Sequence, residues 1–211
     1  MFNWNEIHDA ILNGDIASTP ELVKKAVSEG NTPEDILEKG LIAGMNDVGI
    51  KFKANDIFVP EVLIAAKAMH AALDVLEPLL AASGVKPKAT ITVGTVKGDL
   101  HDIGKNLVVM MLKGAGFQVI DLGIDVSPDV FVSKSEEVNA SLMAMSSLLT
   151  TSMPSMKSTV DIIKKRGLNS RIKTIIGGAP VTQEYADEIG ADGYAQDASS
   201  AVDKAKELLG L

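Results

Sequence analysis

The amino-acid sequence predicts an α/β protein with an all-α domain at its N-terminus, and two observations lead to this prediction. Through residue 82 the apolar residues recur at the spacing of amphipathic helices, without a convincing strand. From residue 89 onward, short apolar runs rich in β-branched residues alternate with helical patterns, as in a parallel sheet covered by helices. We therefore expect a helical domain over residues 1–86 and an α/β domain over residues 87–211, with a linker, SGVKPK, at 83–88.

Four helices with short connections are predicted for the first domain, which is the pattern of a small helix bundle. Their apolar stretches begin near Trp4, Leu22, Ile36 and Val62. Thr19 and Thr32 each precede a proline and a glutamate, an order that predicts a capping residue, a proline at the first helical position and an acid in the first turn. Val59-Pro60-Glu61 repeats the proline and acid, so the last helix is expected to begin near Val59.

Strands and helices alternate in the second domain. The predicted strands are 89–96, 117–123, 140–147, 173–179 and 192–195, and the predicted helices are 103–115, 128–138, 153–166, 182–189 and 199–209. Five such units predict a doubly wound, five-stranded parallel sheet of the flavodoxin-like or Rossmann-like kind, with the strand order 2-1-3-4-5. Ligands bind such sheets where the strand order reverses, between strands 1 and 3. The loops after these two strands are therefore expected to meet at one crevice.

The loop after the first strand, GDLHD (98–102), carries an acid two residues before a histidine. A nucleotide-binding turn would instead be glycine-rich. Asp99 is spaced to accept a hydrogen bond from one ring nitrogen of His101, which leaves the other nitrogen for a metal. One histidine cannot complete a metal site, but it can be an axial ligand to a metal held by a macrocycle. The simpler alternative is that Asp99 caps the next helix and His101 is an exposed turn residue.

Two further segments belong to the same predicted crevice. The loop after the third strand is rich in hydroxyl groups, which suit ligand binding and are also common in turns; they include Ser146, Ser147, Thr150 and Ser152. The fourth strand ends in Gly177-Gly178, where a side chain would obstruct a group that passes close to the backbone.

Together these residues resemble the signature of cobalamin-binding domains in which a histidine replaces the cofactor's own base on cobalt. The matching segments, in order, are Asp99-x-His101-x-x-Gly104, Ser146-x-Leu148 and Gly177-Gly178. The segment LEKGLIAGMNDVGIKFKANDIFVPEVLIAAKAM (37–69) resembles the helical cap that accompanies such domains in methionine synthase. The resemblance extends from about Pro33 to Ala198, and it is closest to the two-domain corrinoid proteins of methyltransferase systems in anaerobic bacteria and methanogens.

The resemblance implies a role for each matching residue. It makes His101 the axial ligand of cobalt, Asp99 its hydrogen-bond partner and Ser152 the third member of this relay. The other implied cofactor-binding residues of the second domain are Gly98, Leu100, Asp102, Ile103, Gly104, Ser146, Leu148, Thr150, Gly177, Gly178 and Ala198, several of which would line the slot for the detached nucleotide tail. In the helical domain, Phe52 and Val59 would shield the upper face of the corrin, and Glu38 would contact it from the cap.

The function that the resemblance implies is methyl transfer by a protein-bound cobalamin. A substrate-specific methyltransferase would load the methyl group, a second methyltransferase would pass it to tetrahydrofolate or a thiol, and a reductive activase would be a third partner. The chain would then be a subunit of a methyltransferase system and not an enzyme that acts alone. The methyl donor stays open among methanol, methylamines, betaines and methoxylated aromatics.

Composition and length restrict the partners. A net charge of −8 argues against nucleic acid and anionic membranes, and the apolar runs are too short to span a membrane. The lack of cysteine excludes disulfides and zinc–thiolate sites and, with an N-terminus unlike a signal peptide, suits the cytoplasm. A chain of 211 residues has no room for the substrate barrel of methionine synthase beside these two domains.

Two alternatives of other classes remain open. A cobalamin-dependent sensor would also join a helical bundle to this domain, but such regulators usually carry a basic DNA-binding module, which the sequence lacks. A receiver-type or flavodoxin-type domain would leave Gly177-Gly178 and the cap segment unexplained.

Overall fold

A computed structural model describes residues 2–84 and 87–211 of the chain. They divide into two compact units, one formed by Met1–Pro87 with Lys113–Gly116 and the other by Lys88–Leu112 with Phe117–Leu211. Part of the predicted linker, residues 85 and 86, lies outside the described residues. The predicted domain boundary after residue 86 therefore stays a prediction.

The four predicted helices of the first unit are present among the described residues. They are α1 (Trp4–Leu12), α2 (Ser18–Ser28), a continuous helix made of α3 (Pro33–Asp35), a π-helical segment (Ile36–Ile42) and α4 (Ala43–Lys53), and finally α5 (Val59–Ala82). Two glycines allow α1 to pack closely on the third helix. A Cβ on Gly40 would lie 2.9 Å from Ile7, and a Cβ on Gly44 would lie 2.9 Å from Ile11. The wide turn of the π-helical segment thus lies directly against α1.

The two predicted threonine caps have different outcomes. Thr32 is the N-cap of α3, and its side chain accepts a hydrogen bond from the Asp35 backbone at 3.2 Å, as expected. The cap predicted at Thr19 is wrong, because α2 begins at Ser18, two residues before the first helical position that this cap would set. The carboxylate of Asp15 accepts the Ser18 N–H at 2.9 Å, which starts the turn before Thr19 is reached. Thr19 is therefore buried inside the first turn and donates its hydroxyl to the backbone of Asp15.

The second unit is a five-stranded parallel sheet with the order β2-β1-β3-β4-β5, so the predicted fold class and topology are confirmed. Its strands are β1 (Thr90–Thr95), β2 (Gln118–Asp121), β3 (Leu142–Ser146), β4 (Lys173–Gly177) and β5 (Gly193–Ala195). The helices that alternate with them are α6 (Ile103–Gly114), α7 (Pro128–Glu137), α8 (Met153–Lys165), α9 (Gln183–Ile189) and α10 (Ala198–Leu209). The core is nearly continuous along the central strands, as expected for a sheet covered on both faces; Ile91, Leu142, Met143 and Ile176 are fully buried.

Candidate functional site

The ends of four strands form one row across the sheet. Thr95 pairs with Ser146, Ser146 with Gly177, and Gly177 with Ala195. The loops that follow these strands stay in contact beyond the row, because the Val96 N–H donates to the Ser146 carbonyl at 3.0 Å. The loop with Asp99 and His101 therefore lies beside the loop that ends at Ser152, as the topology predicted.

His101 and Asp99 contact each other as their spacing predicted. Asp99 is fully buried, whereas the His101 side chain is 53% exposed. The Nδ1 of His101 lies 2.7 Å from Oδ1 of Asp99, and the His101 backbone N–H donates to the same oxygen at 3.1 Å. An ionised carboxylate only accepts hydrogen bonds, so Nδ1 carries the hydrogen and Nε2 keeps its lone pair. Within the described part of the chain, Nε2 has no hydrogen-bond partner.

The second oxygen of Asp99 is held by the loop after β3. Oδ2 accepts hydrogen bonds from the Leu148 N–H at 2.7 Å, the Leu149 N–H at 3.2 Å and the Ser152 hydroxyl at 2.9 Å. Burial raises the pKa of the carboxyl, but the hydrogen bonds from His101, Leu148 and Ser152 outweigh it and hold the pKa well below its usual range. The alternative that Asp99 merely caps the next helix is wrong, because its partners are His101 and the neighbouring loop.

A third segment, the loop after β2, also holds the histidine loop, and sequence reasoning missed it. Asp125 accepts the Gly98 N–H at 2.8 Å and donates its own N–H to the Asp99 carbonyl at 3.1 Å. On the same side, the Thr95 hydroxyl donates to the His101 carbonyl at 2.7 Å. The signal available in the sequence was the position of Asp125, just after a strand that neighbours β1. The loop that presents His101 is thus fixed from both sides.

For two other residues near the site the sequence predicted no individual role, although Ser147 lies in the predicted hydroxyl-rich loop. Lys105 follows the predicted motif directly, is 4% exposed and pairs with Asp121 at 2.6 Å. A lysine this deeply buried requires such a partner. Ser147 is fully buried, and its Oγ lies 2.7 Å from Oγ of Ser152. Its only signal in the sequence was its place beside Ser146.

Gly177 and Gly178 have a packing reason that the sequence did not indicate. Gly178 has φ of +131°, and a Cβ there would lie 1.8 Å from the carbonyl oxygen of Ser147. A Cβ on Gly177 would lie 2.7 Å from the carbonyl oxygen of Ala195. The backbone of the loop after β3 and the backbone at the end of β5 therefore pass close to these glycines. The prediction that they also admit a ligand stays a prediction.

The other predicted residues of the sheet unit lie around these loops. Leu100 and Ile103 are 69% and 76% exposed, which is unusual for large apolar side chains. Asp102, Gly104, Leu148 and Thr150 are also exposed, Ser146 is half-buried at the end of β3, and Ala198 is buried at the start of α10. Apart from its chain neighbours and the backbone of its own helix, no atom of the described chain lies within 4 Å of a Cβ built on Gly104. The exposed surface beside His101 therefore combines large apolar side chains, those of Leu100 and Ile103, with the polar side chains of Asp102 and Thr150.

The predicted residues of the helical unit lie in three places. Glu38 is exposed in the π-helical segment, Phe52 is half-buried near the end of α4, and Val59 is half-buried at the start of α5. Two large apolar side chains close to Phe52 and Val59 in sequence are exposed: Ile50 is 64% exposed and Phe58 is 60% exposed.

Two kinds of feature are absent from the described residues. No group of three or more His, Cys, Asp or Glu side chains that could hold a metal ion is present among them. Nor does any helix in the described ranges have the length and hydrophobicity needed to cross a membrane.

Known proteins match both units. Residues 89–203 match a family model described as B12 binding domain, and residues 4–77 match a second model with that description. Dimethylamine corrinoid protein 3 of Methanosarcina acetivorans is 46% identical over 205 residues, which cover 97% of this chain and 96% of that protein.

Two solved structures match nearly the whole chain. A cobalamin-binding protein from Desulfitobacterium hafniense DCB-2 has a TM-score of 0.83 and 33% identity, with 99% of each chain covered. A chain of the methanol:cobalamin methyltransferase complex MtaBC from Methanosarcina barkeri has a TM-score of 0.85 and 28% identity, with 97% of this chain and 78% of that chain covered. The protein therefore belongs to the family of corrinoid proteins with a B12 binding domain, and it binds cobalamin.

Proposed function

We propose that this protein is the methyl carrier of a cobalamin-dependent methyltransferase system, with His101 as the lower axial ligand of cobalt. The observation that carries the proposal is the pair of His101 and Asp99. A half-exposed ring has its Nδ1 hydrogen bonded to a buried carboxylate at 2.7 Å, which leaves Nε2 available to a metal. Metal-binding histidines almost always have such a second partner, because it sets the tautomer and the ring orientation.

The residues around His101 suit a cobalt held by a corrin. A macrocycle supplies the remaining metal ligands, which matches a site where the described residues offer one histidine. The exposed side chains of Leu100 and Ile103 flank that histidine in sequence and suit the apolar faces of a corrin ring. Gly104 lies in the first turn of α6, where glycine costs about 1 kcal/mol relative to alanine and no packing of the described chain requires it. Close approach of a ligand would explain its presence.

Each further residue has a proposed task. Cobalamin supplies a cobalt centre that accepts a methyl group and releases it to an acceptor. Asp99 holds the proton on Nδ1 of His101, and Ser152 keeps Asp99 charged and oriented. The residues proposed to bind the rest of the cofactor are Gly98, Leu100, Asp102, Ile103, Gly104, Ser146, Leu148, Thr150, Gly177, Gly178 and Ala198. Phe52 and Val59 are proposed to shield the upper face of the corrin, with Glu38 as a contact from the cap.

A methylated amine is the methyl donor that the relatives favour. The dimethylamine corrinoid protein is 46% identical to this chain, whereas the chain from the methanol system is 28% identical. The proposed partners are a substrate-specific methyltransferase, a second methyltransferase that passes the methyl group to a thiol or tetrahydrofolate, and a reductive activase.

The ligand assignment is tested by reconstituting the wild type, His101→Ala and His70→Ala with cobalamin. His70 is an exposed histidine of α5 and serves as the matched control. Wild type and His70→Ala should bind about one equivalent and show nitrogen splitting in the electron paramagnetic resonance spectrum of cobalt(II), because nitrogen-14 has a nuclear spin. His101→Ala should lose this splitting, and an unchanged spectrum in that variant would refute the assignment.

Methyl transfer is tested separately with the loaded wild type. A dimethylamine methyltransferase with dimethylamine should methylate the bound cobalamin, whereas a methanol methyltransferase with methanol should not. Loading from methanol alone would overturn the choice of donor. Binding of adenosylcobalamin without transfer from either donor would favour the sensor function instead.

A further inference from the structure

The hydrogen-bond chain below His101 continues beyond Ser152 to a buried hydroxyl. Ser147 Oγ lies 2.7 Å from Ser152 Oγ and 3.0 Å from the carbonyl oxygen of Leu149. Building on the proposed function of His101, we propose that Ser147 is a positioning residue for the cobalt ligand. It acts through Ser152 and Asp99, in a chain that runs Ser147, Ser152, Asp99, His101.

The direction of each hydrogen bond follows from the available acceptors. Ser152 has one hydroxyl hydrogen and two acceptors at 2.9 Å, the charged Asp99 carboxylate and the Leu149 carbonyl. Hydrogen bonds to a charged acceptor are roughly twice as strong, so Ser152 donates to Asp99. Its oxygen can then accept from Ser147, at a distance that lies at the optimum for two hydroxyl groups. The Leu149 carbonyl is the weaker choice for Ser147, since it is more distant and already accepts the Ser152 N–H at 3.1 Å.

Donation by Ser147 strengthens the bond from Ser152 to Asp99. A hydroxyl that accepts a hydrogen bond becomes a better donor, and such cooperativity adds ~10–30% per bond. Without Ser147, the Ser152 hydroxyl loses its donor and can turn toward Leu149 O, which weakens its hold on Asp99. A less firmly held carboxylate holds the Nδ1–H of His101 less firmly too. The expected result is weaker binding of His101 to cobalt.

The end of β4 fixes Ser147 in this position. The Ser147 N–H donates to the Gly177 carbonyl at 3.0 Å, and the Ser147 carbonyl occupies the space where a side chain of Gly178 would lie. The Ser147 N–H is thus held by Gly177, and the Ser147 carbonyl packs closely against Gly178. The buried hydroxyl therefore has little freedom to leave Ser152.

The test compares Ser147→Ala with Ser135→Ala in the cobalamin-loaded protein. Ser135 is a matched control, because it is also fully buried and takes part in similar hydrogen bonds. Its Oγ lies 2.6 Å from the Thr92 hydroxyl and donates to the Phe131 carbonyl at 2.8 Å. The readout is the fraction of cobalt(II) that shows nitrogen splitting. In Ser147→Ala the equilibrium constant for histidine binding should fall by about 1.3-fold to fivefold, the fold-change that corresponds to weakening one hydrogen bond to a charged group by ~10–30%. Ser135→Ala should leave it unchanged.

A double variant separates this role from simple packing. In the Ser152→Ala background, Ser147→Ala should have no further effect, because its path to Asp99 is already cut. An equal loss in both backgrounds, or no loss in either, would overturn the proposal. If Ser147→Ala does not fold, Ser147→Cys provides the same comparison with a nearly isosteric but weaker donor. A wild type that lacks nitrogen splitting would instead refute the proposed function of His101.

Discussion

At the scale of single residues, one buried carboxylate organises the site. Asp99 accepts five hydrogen bonds, two from His101 and one each from Leu148, Leu149 and Ser152. Because these bonds favour the charged form, the pKa of Asp99 is lowered in the folded state. Asp99 should therefore stabilise the folded protein in a way that depends on pH.

The first prediction concerns Asp99→Asn and acid unfolding. A lowered pKa means that the stabilisation is complete above the ordinary carboxyl pKa of about 3.9 and is lost as the pH falls through the folded value. At neutral pH the amide should lower the free energy of unfolding by about 1–3 kcal/mol, because its NH₂ group cannot accept from the surrounding donors. The difference in the free energy of unfolding between Asp99→Asn and wild type should become smaller below about pH 4. Urea unfolding between pH 3 and 7 measures it.

The control for this experiment is Asp161→Asn. Asp161 is an exposed acid of α8 that pairs with Lys157 on the surface, so its removal should change stability by no more than about 1 kcal/mol. If Asp99→Asn lowers the free energy of unfolding by no more than Asp161→Asn does, the buried hydrogen bonds of Asp99 do not stabilise the fold.

At the scale of secondary-structure elements, two contacts between distant segments have measurable consequences. The first joins α1 to α4 through His8, whose Nδ1 lies 3.1 Å from Asp9 and whose Nε2 lies 2.9 Å from Asp47. The hydrogen bond to Asp9 is the largest cause that raises the pKa of His8. The hydrogen bond to Asp47 and the charge of that carboxylate raise it further, and together these interactions outweigh burial, which lowers it. Protonated His8 therefore stabilises the helical unit.

The second prediction is that this stabilisation disappears with rising pH. Since the pKa of His8 is raised, the contribution is complete below the ordinary value of about 6.5 and is lost as the pH rises through the folded value. Between pH 6 and 8.5 the wild type should lose up to about 1 kcal/mol relative to His8→Gln, the range of partly exposed ion pairs. Thermal unfolding at several pH values measures this, with His70→Gln as the control. Parallel curves for wild type and His8→Gln would show that the pair contributes nothing.

The third prediction concerns the close approach of β4 to the loop after β3. Gly178→Ala should destabilise the protein by more than about 3 kcal/mol, because strain at positive φ is combined with a collision with the Ser147 carbonyl. Gly167→Ala is the matched control, since Gly167 also has positive φ but no atom within 4 Å of an added Cβ. It should cost about 1–2 kcal/mol from the backbone alone. Equal losses in the two variants, measured by urea unfolding, would mean that the collision is relieved by a small shift.

At the scale of the whole molecule, the proposed function requires both units, because the cap residues are proposed to cover a cofactor that the sheet unit binds. Phe52 and Phe58 allow a comparison within the same short stretch of chain. Phe52 is half-buried near the end of α4 and belongs to the proposed shield, whereas Phe58 is exposed and does not.

The fourth prediction is that Phe52→Ala accelerates oxidation of the reduced, cobalamin-loaded protein, whereas Phe58→Ala leaves the rate close to that of wild type. The reason is that removal of a shielding ring gives oxygen and water access to the metal. Stopped-flow absorbance after mixing with oxygenated buffer measures the rates. The shielding role would be refuted by equal rates in all three proteins, and a faster rate in Phe58→Ala alone would transfer that role to Phe58.

The sequence by itself determined the fold class, the strand order and the pairing of Asp99 with His101. Each of these depends on local information: apolar periodicity marks the elements, strand number and connection length restrict the topology, and a spacing of two residues brings an acid to its own histidine. The resemblance of the motifs then indicated cobalamin. The cap predicted at Thr19 was wrong because Asp15, a competing acceptor just upstream, starts the helix earlier.

The motif resemblance implied that Ser152 joins Asp99, but only the tertiary structure decided the geometry of this contact and the further residues that complete the site. Asp125 contacts Gly98, and Ser152 contacts Asp99, across 27 and 53 residues of chain, and no local spacing predicts the distance or direction of such bonds. The sequence predicted Ser147 as part of the hydroxyl-rich loop but indicated no role for it, because a serine beside other serines has no pattern of its own. Its burial and its 2.7 Å contact with Ser152 arise only when β3 and β4 pair and the glycine backbone of β4 holds the loop in place. Local sequence sets the elements, but the orientation of a buried hydroxyl depends on acceptors that only the folded chain brings together.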